Sequence, residues 1–493
     1  MKVYFRADAN TQIGWGHVVR CMALADMLIE DKNSFFECIF LVQNPSLTLQ
    51  NQIKEKFELV VLKESTDFLK EADFIAQNYL KNDSIIVLDH YQIQTEYQRT
   101  IKSTSKAKVV CIDDMYSWHF VADAIINHAG GLDSTDYSCE SYTELCLGTE
   151  YALLRKPFLE AAKQERNIKD IETVFICFGG SDIQNLTKKA IQGCLKIDKF
   201  KKIHVVLGSA SLFYEEILEV SKTSNKIILH QNLSDIEMCS LMKKSDLAIT
   251  PASSISYEIC SVGMYLISGY YVENQKNIYK FLTENNLAIG VGNFDSLKNA
   301  LSDIQEKSNW QNNNQLIEQK KYFNGFSPKR IRNIFYSLCI QLENATKEHT
   351  QLYFEWANEK EVRQNSLNSE PISWEEHQKW FLNKITQKDT RLFLFKVDSI
   401  LIGQVRIGFQ KDKDNLLVAV INYSLDKKFR GLGFGKIVLQ KAIDEIKQES
   451  KDKVMFSATV KKENISSYRI FKNLNFEVDK GDKKNIHFYL QTN

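Results

Sequence analysis

Gly14-Trp15-Gly16-His17 lies where an opening apolar strand, Val3 to Phe5, gives way to an amphipathic helix carrying Val18, Val19, Met22, Ala25, Leu28 and Ile29. Glycines let a backbone approach an anionic group, and the free amides and dipole of a helix start favour negative charge there. The segment reads as a phosphate loop, with His17 beside the phosphate-bearing carbon as a proton acceptor. The bland alternative is a strand-helix turn whose histidine caps or hydrogen-bonds locally.

Similar polar positions recur at other strand ends. Phe178-Gly179-Gly180-Ser181-Asp182 follows a strand and precedes a helix beginning near Asn185-Leu186-Thr187, so Gly180 and Ser181 could admit a phosphate or sugar. Thr250-Pro251-Ala252-Ser253-Ser254 ends another strand, and its Ser253 and Ser254 stand at a helix start suited to a diphosphate. Glu258, one turn further, could accept both hydroxyl protons of a ribose, or simply be solvated or paired. Asn274 and Gln275 are nucleotide contacts or helix caps. Asp8, Asp89 and Tyr91 end first-lobe strands and could orient sugar, water or His17, the aspartates serving otherwise as turn residues.

The elements that must position these residues alternate. Val3 to Phe5, Cys38 to Val42, Ile85 to Leu88, Val109 to Ile112 and Ala124 to Ile126 are apolar strands, several separated by helical stretches. After the polar stretch Lys163 to Asp170 the pattern restarts with Val174 to Phe178, Ile203 to Leu207, Ile227 to Leu229, Leu247 to Thr250 and Tyr265 to Ile267. Such alternation predicts parallel sheets with ligands at the carboxyl ends of their strands, and hence two Rossmann-like lobes facing a cleft.

The 493 residues allow about three domains by the usual size prior. Lys plus Arg (63) nearly cancels Asp plus Glu (62), so no global field recruits nucleic acid or an anionic membrane. No apolar run approaches the roughly 20 residues of a membrane span, and Met1 to Phe5 starts a strand, which predicts a cytoplasmic protein. The ten cysteines lack paired metal spacing and read as reduced core residues, and no metal cluster is evident.

Taken in order, Arg6-Ala7-Asp8, Ile13-Gly14-Trp15-Gly16-His17, Asp89-His90-Tyr91, Asp113-Asp114, Phe178 to Asp182, Ala252-Ser253-Ser254 with Glu258, and Asn274-Gln275 resemble the UDP-sugar hydrolases of pseudaminic acid biosynthesis. The resemblance covers about residues 1 to 335. It implies the two-lobed GT-B arrangement of sugar-nucleotide glycosyltransferases with water replacing the sugar acceptor. It also implies release of UDP from UDP-2,4-diacetamido-2,4,6-trideoxy-β-L-altropyranose. His17 would be the base, Gly14, Gly16, Ser253 and Ser254 would hold the diphosphate, and Glu258 would take the ribose.

The last third changes character. Arg391 to Val397, Ile400 to Phe409 and Leu416 to Leu425 are consecutive strands with short turns, which predicts a mostly antiparallel sheet. Arg430-Gly431-Leu432-Gly433-Phe434-Gly435-Lys436 then opens an amphipathic helix, so successive amides could hold a pyrophosphate. A mononucleotide P-loop would need Gly-Lys-Ser/Thr, which is absent. The loop, a strand at Val454 to Val460 and Asn464-Ile465-Ser466-Ser467 resemble the acetyl-CoA-binding GNAT acetyltransferases over about residues 338 to 493.

That resemblance implies direct attack of an amine on the thioester of acetyl-CoA. Many relatives protonate the departing thiolate with a tyrosine that here is Phe471, leaving Tyr468, one turn earlier, or water to do so. His377 and Glu376 could help deprotonate the amine, or be exposed helix residues.

The chain is therefore read as α/β, with lobes at 1–160 and 161–336 and an α/β GNAT domain at 338–493. Fusion points to neighbouring steps on one UDP-amino-sugar. The last domain would acetylate the 4-amino group of UDP-4-amino-4,6-dideoxy-N-acetyl-β-L-altrosamine, and the first two lobes would then remove UDP. A UDP-sugar glycosyltransferase fused to a noncatalytic acetyl-CoA-binding module, or a legionaminic-pathway substrate, are the alternatives.

Overall fold

The computed structural model describes residues 1–9, 15–30, 36–179, 182–208, 211–306, 314–397, 399–413, 415–450, 453–479 and 484–491. They form two compact units, Met1–Arg332 and Asn333–Asn493, and the division falls inside helix Ser327–Cys339.

The first unit begins with β1 (Lys2–Ala7), β2 (Glu37–Gln43), β3 (Glu58–Leu62), β4 (Ile85–Asp89), β5 (Lys108–Ile112), β6 (His119–Phe120), β7 (Ala124–Asn127), β8 (Ser138–Cys139) and β9 (Glu144–Leu147). Seven of these make one sheet in the order β3-β2-β1-β4-β5-β7-β9, and β6 pairs with β8 separately. Neighbours in the large sheet run parallel. Every residue of β4 is buried, as expected of a central strand covered on both faces. The edge strands β3 and β9 each begin with an exposed glutamate and leave several of their apolar positions partly exposed, as expected where one side of a sheet is uncovered.

The order reverses between β1 and β4. One crossover leaves β1 towards β2 and β3, the later ones build outward from β4, and the loops beyond the two strands part to leave a crevice. Asp8 follows β1, and Asp89 ends β4.

The second lobe repeats this plan with β10 (Thr173–Ile176), β11 (Lys202–Leu207), β12 (Ile227–Gln231), β13 (Leu247–Pro251), β14 (Tyr265–Gly269) and β15 (Ile289–Gly290). They lie in the order β12-β11-β10-β13-β14-β15, all parallel. Its switch point lies between β10 and β13, so the Phe178 loop and the Pro251-to-Ser254 turn flank the second crevice. Separate apolar cores underlie the two sheets.

Several contacts tie the lobes together. Arg155 precedes helix Lys156–Ala162, which packs on helices Asp235–Lys243 and Ser254–Val262 of the second lobe. Tyr116 accepts a hydrogen bond from Asn277 Nδ2 at 2.9 Å. Near the end of the unit the chain returns to the first lobe, where Arg332 donates to Met27 O (2.9 Å) and Glu30 (3.1 Å).

The second unit contains β16 (Ile340–Asn344), β17 (Thr390–Val397), β18 (Ile400–Lys411), β19 (Leu417–Leu425), β20 (Val454–Lys461), β21 (Glu477–Asp479) and β22 (Asn485–Gln491). The order is β16-β17-β18-β19-β20-β22-β21, antiparallel throughout except for β19 with β20. That parallel pair is matched only from Leu417↔Val454 to Val420↔Ser457. Residues 421–425 and 458–461 continue as strands without pairing to one another, so the sheet opens there. Helix Phe434–Glu449 contacts β18 and β19, and Tyr353, Trp356 and Phe381 pack with Leu392 and Leu394 of β17.

Among the described residues no helix is long and apolar enough to cross a membrane.

Gly130 sets how closely the lobes approach, because a Cβ built there would lie 2.3 Å from the Phe281 ring. Gly130→Ala is expected to destabilise the first unit by about 1–3 kcal/mol through overpacking. Thermal denaturation would register this as a lowered midpoint, and an unchanged midpoint would show that this junction yields freely.

Candidate functional site

The first crevice is organised around Asp89. Its carboxylate is fully buried at the end of β4, with Oδ1 at 2.6 Å from His17 Nδ1. Arg20, one turn along helix Gly16–Ile29 from His17, donates through Nε to Oδ2 (2.5 Å) and through Nη2 to Oδ1 (2.6 Å). Burial alone would raise the Asp89 carboxyl pKa, but the charge and hydrogen bonds of Arg20, joined by His17, outweigh it and hold the group at about 2. An ionised carboxylate has no proton to give. In the neutral imidazole, Nδ1 is therefore the donor to Asp89 and Nε2 keeps its lone pair.

A further layer steadies this pair. Arg20 Nη1 donates to Asp114 Oδ2 at 3.0 Å, and the Tyr91 hydroxyl donates to the same oxygen at 3.3 Å. The Tyr91 ring meets the His17 ring edge-on, with centroids 4.7 Å apart. Asp8 is held by Arg6 Nη1 (2.6 Å) and the Gln43 N–H (2.8 Å), while Arg6, wholly buried, grips Glu71 through Nε (2.7 Å) and Nη2 (3.1 Å). Gly16 begins the helix, and a Cβ there would meet nothing within 4 Å. Gly14 lies outside the described residues, as do Gly180 and Ser181.

His128 went unnoticed in the sequence. It follows β7, its Nδ1 accepts the Leu153 N–H at 3.2 Å, and its ring meets Tyr257 of helix Ser254–Val262 edge-on at 5.5 Å. Burial, with the nearby Arg20 charge, lowers its pKa to about 4. At neutral pH it is an uncharged ring whose Nε2 carries the hydrogen, set between the Asp89 cluster and the second lobe. A histidine directly after an apolar strand was the available signal.

In the second lobe, Ser253 and Ser254 open helix Ser254–Val262, whose first turn is closed by the Ser256 N–H donating to Ser253 O at 2.9 Å. Ser256 Oγ steadies the turn by accepting from Ser253 N–H (3.4 Å) and donating to Pro251 O (2.8 Å). Glu258 faces Arg155, which donates Nε to Oε1 and Nη2 to Oε2, each at 2.8 Å. Each oxygen thus spends one of its acceptor positions on this clamp. Asp182 caps helix Leu186–Cys194 by accepting from the N–H groups of Leu186 and Thr187, both at 2.9 Å. Gln275 is buried and its Oε1 accepts the Tyr271 N–H at 3.0 Å, whereas Asn274 is exposed.

The second unit carries a glycine loop immediately before a helix. Gly431 and Gly433 have φ of +79° and +94°, the left-handed region that glycine occupies without strain, immediately before helix Phe434–Glu449. This turns backbone amides towards one side, the arrangement that suits a pyrophosphate. Gly435 serves packing, since a Cβ there would lie 2.7 Å from Ile470 Cδ1. Arg430 is engaged with Glu359, Glu361 (2.7 Å) and Leu425 O (3.1 Å), while Lys436 is exposed. Asn464 caps helix Ile465–Asn473 by accepting the Ser467 N–H at 3.1 Å.

Tyr468 packs edge-on against Phe488 at 5.6 Å. A different phenol, Tyr423 of β19, stands in the unpaired stretch with its oxygen 2.9 Å from Ser467 Oγ and its ring edge-on to Phe471. His377 is not an exposed helix residue. It is buried among Phe354, Trp374, Trp380 and Phe381 with Nε2 at 3.1 Å from Thr350 O, because the aromatic residues around it fold onto the same helix face. Among the described residues no group of three or more His, Cys, Asp or Glu is placed to hold a metal ion.

Comparison with known proteins agrees with this division. Residues 340–477 match the acetyltransferase (GNAT) domain family. The amino-terminal part is 28% identical over 291 residues to the UDP-2,4-diacetamido-2,4,6-trideoxy-β-L-altropyranose hydrolase of Campylobacter jejuni, covering 58% of this chain and 97% of that protein. It is 26% identical to the spore coat polysaccharide biosynthesis protein SpsG of Bacillus subtilis, covering 59% of this chain and 84% of that one. Uncharacterized protein MJ1062 of Methanocaldococcus jannaschii is 24% identical across 99% of both chains. The chain thus joins a unit homologous to a UDP-sugar hydrolase to a GNAT acetyltransferase domain in one enzyme.

The Asp89 carboxyl sits below its ordinary value of 3.8, so the stability it contributes is present above about pH 3.8 and is lost as pH falls towards 2. The difference corresponds to roughly 2 kcal/mol. Denaturant unfolding of Asp89→Asn beside the parent chain should show a stability deficit at pH 7 that narrows as pH falls through this window; a deficit independent of pH would show that the carboxylate charge is not what matters.

Proposed function

We propose that the chain carries out two successive steps on one sugar nucleotide. The second unit acetylates the 4-amino group of UDP-4-amino-4,6-dideoxy-N-acetyl-β-L-altrosamine with acetyl-CoA. The first unit then hydrolyses UDP-2,4-diacetamido-2,4,6-trideoxy-β-L-altropyranose to free sugar and UDP. The observation that carries the reading is His17, oriented by Asp89 at the switch point of a lobe homologous to a hydrolase of that UDP-sugar.

In the hydrolysis, the oxygen of water attacks the anomeric carbon as the bond from that carbon to the phosphate oxygen breaks. The water proton passes to His17 Nε2, and Asp89 stabilises the imidazolium that forms. UDP leaves with the bonding electron pair and its diphosphate charge, which Gly14, Gly16 and the helix start at Ser253 and Ser254 are suited to hold, Gly180 and Ser181 serving the sugar or phosphate. Tyr91, Asp8 and His128 orient sugar and water around the base. Glu258, positioned by Arg155, takes the ribose hydroxyls with its remaining acceptor positions, and Asn274 and Gln275 border the nucleotide.

In the acetylation, Gly431, Gly433 and the start of helix Phe434–Glu449 hold the pyrophosphate of acetyl-CoA, with Gly435, Arg430 and Asn464 shaping the loop and Lys436 at its rim. The opened pair β19 and β20 receives the thioester arm. The amine nitrogen bonds to the thioester carbon, the carbon–sulfur bond breaks, and the proton lost by nitrogen is balanced by one gained by sulfur. Tyr423, tied to Ser467, is the favoured donor to sulfur, ahead of Tyr468.

Mass-resolved turnover of His17→Ala tests the reading. Its rate of UDP release should fall by about 10²–10⁴-fold, with acetylated UDP-sugar accumulating because acetyl transfer continues. Undiminished UDP release would place the base elsewhere, and no acetylation of the UDP-amino-sugar by the parent chain would overturn the substrate.

A further inference from the structure

Arg406 of β18 is a guanidinium without a carboxylate. It is partly buried, its Cζ lies 5.2 Å over the Trp380 ring, and among the described residues it forms no ion pair. Burial lowers its pKa against only a weak opposing influence from Tyr353. Placing a cation there costs free energy unless an anion joins it, and the indole face offsets only part of that cost.

A second unsatisfied group lies two residues away. Gln404 Oε1 is buried and accepts no hydrogen bond, although the Nε2 of the same amide donates to Ser424 Oγ at 3.1 Å. Residues 404 and 406 share a face of β18, about 6.6 Å apart along the strand. The register pairs Gln404 with Ser424 and Arg406 with Asn422, so both stand beside residues 421–425, where β19 has parted from β20. Asn422 is exposed, as is Val420 on the same face of β19, whereas Ser424 is buried beside Gln404.

The two unmet demands are complementary. A buried carbonyl oxygen requires an N–H donor, and a guanidinium without a carboxylate requires an anion. Among acceptors of an acetyl group, one that carries an amine and a phosphate-type anion meets both. The opposite face of this strand group, on which Val405 and Tyr423 are paired, holds Tyr423 against Ser467 and Phe471 of helix Ile465–Asn473. The Gln404 and Arg406 face is thus separate from the face that receives that helix.

We infer that Gln404 and Arg406 form the acceptor-recognition site of the acetyltransferase domain, in which Gln404 Oε1 takes an N–H of the reacting amine and Arg406 binds the diphosphate of a nucleotide-linked amino sugar. This deepens the reading of the second unit as a sugar-nucleotide acetyltransferase and rests on it. Arg406 is a specificity residue here, and it acts on binding of the acceptor, not on the acetyl donor.

Initial rates of CoA release by the full-length chain test this with two acceptors, UDP-4-amino-4,6-dideoxy-N-acetyl-β-L-altrosamine and the same amino sugar without UDP. Arg406→Gln should raise KM for the UDP-linked acceptor at least tenfold while KM for acetyl-CoA stays within twofold. The preference for the UDP-linked over the free amino sugar should collapse, and added UDP should no longer inhibit acetyl transfer. Arg406→Lys should recover part of the preference. Gln404→Leu should instead lower kcat/KM for both acceptors alike, since both bear the amine. An Arg406→Gln chain that keeps the preference, or that loses affinity for acetyl-CoA, would overturn the assignment. If the parent chain acetylates neither acceptor, the reading of the domain fails before the site does.

Discussion

A buried carboxylate is the constraint on which the first unit depends. Asp89 ends a strand with no exposed residue, in a crevice created by the reversal of strand order. Leaving that charge unpaired would be prohibitive, so Arg20 and His17 must both reach it from one helix. Their spacing, one helical turn apart, lets a single element satisfy both oxygens. The same contacts that keep Asp89 ionised also fix which His17 nitrogen retains its lone pair. Stability and the orientation of the His17 ring therefore arise from one cluster, and Asp114 and Tyr91 extend it towards solvent.

The rest of the molecule applies a related device at other strand ends. Backbone amides at helix starts provide positive potential where apolar strands stop, first at Ser253 and Ser254 and then in the second unit after Gly433. What differs is the support. In the second lobe, Glu258 is braced by Arg155 from the segment that links the lobes. In the second unit the glycines permit the left-handed turn, and a partial register between β19 and β20 supplies the opening.

Much of this was legible from local sequence. Strand-helix alternation exposed both parallel sheets because central strands are apolar on both faces, and the Gly431-to-Gly435 loop announced itself because positive φ before a helix demands glycine. The edge strand β3 was missed although four of its five residues are apolar, since Val61 faces solvent and burial does not follow the sequence at a sheet edge. The partners of candidate residues were harder still. Arg20 with Asp89 spans 69 positions, Arg20 with Asp114 spans 94, and Arg155 with Glu258 spans 103, separations over which composition and periodicity carry no pairing information. Glu258 reads equally as a ribose acceptor or as a solvated or paired carboxylate for that reason, and His377 looked like a surface residue because its aromatic enclosure comes from neighbours that could equally have faced water. Tyr423 escaped notice as one strand residue among many, its partner Ser467 lying 44 positions away on a helix.

The proposed reaction order is acetyl transfer first and attack of water on the anomeric carbon second, with His17 as the base. Its most direct test is turnover of UDP-4-amino-4,6-dideoxy-N-acetyl-β-L-altrosamine in ¹⁸O-enriched water, with and without acetyl-CoA, followed by mass analysis of the UDP released. The account predicts that UDP appears only with acetyl-CoA and carries no heavy oxygen, because the sugar carbon receives the water. Heavy oxygen in the terminal phosphate of UDP would mean attack at phosphorus and would contradict it.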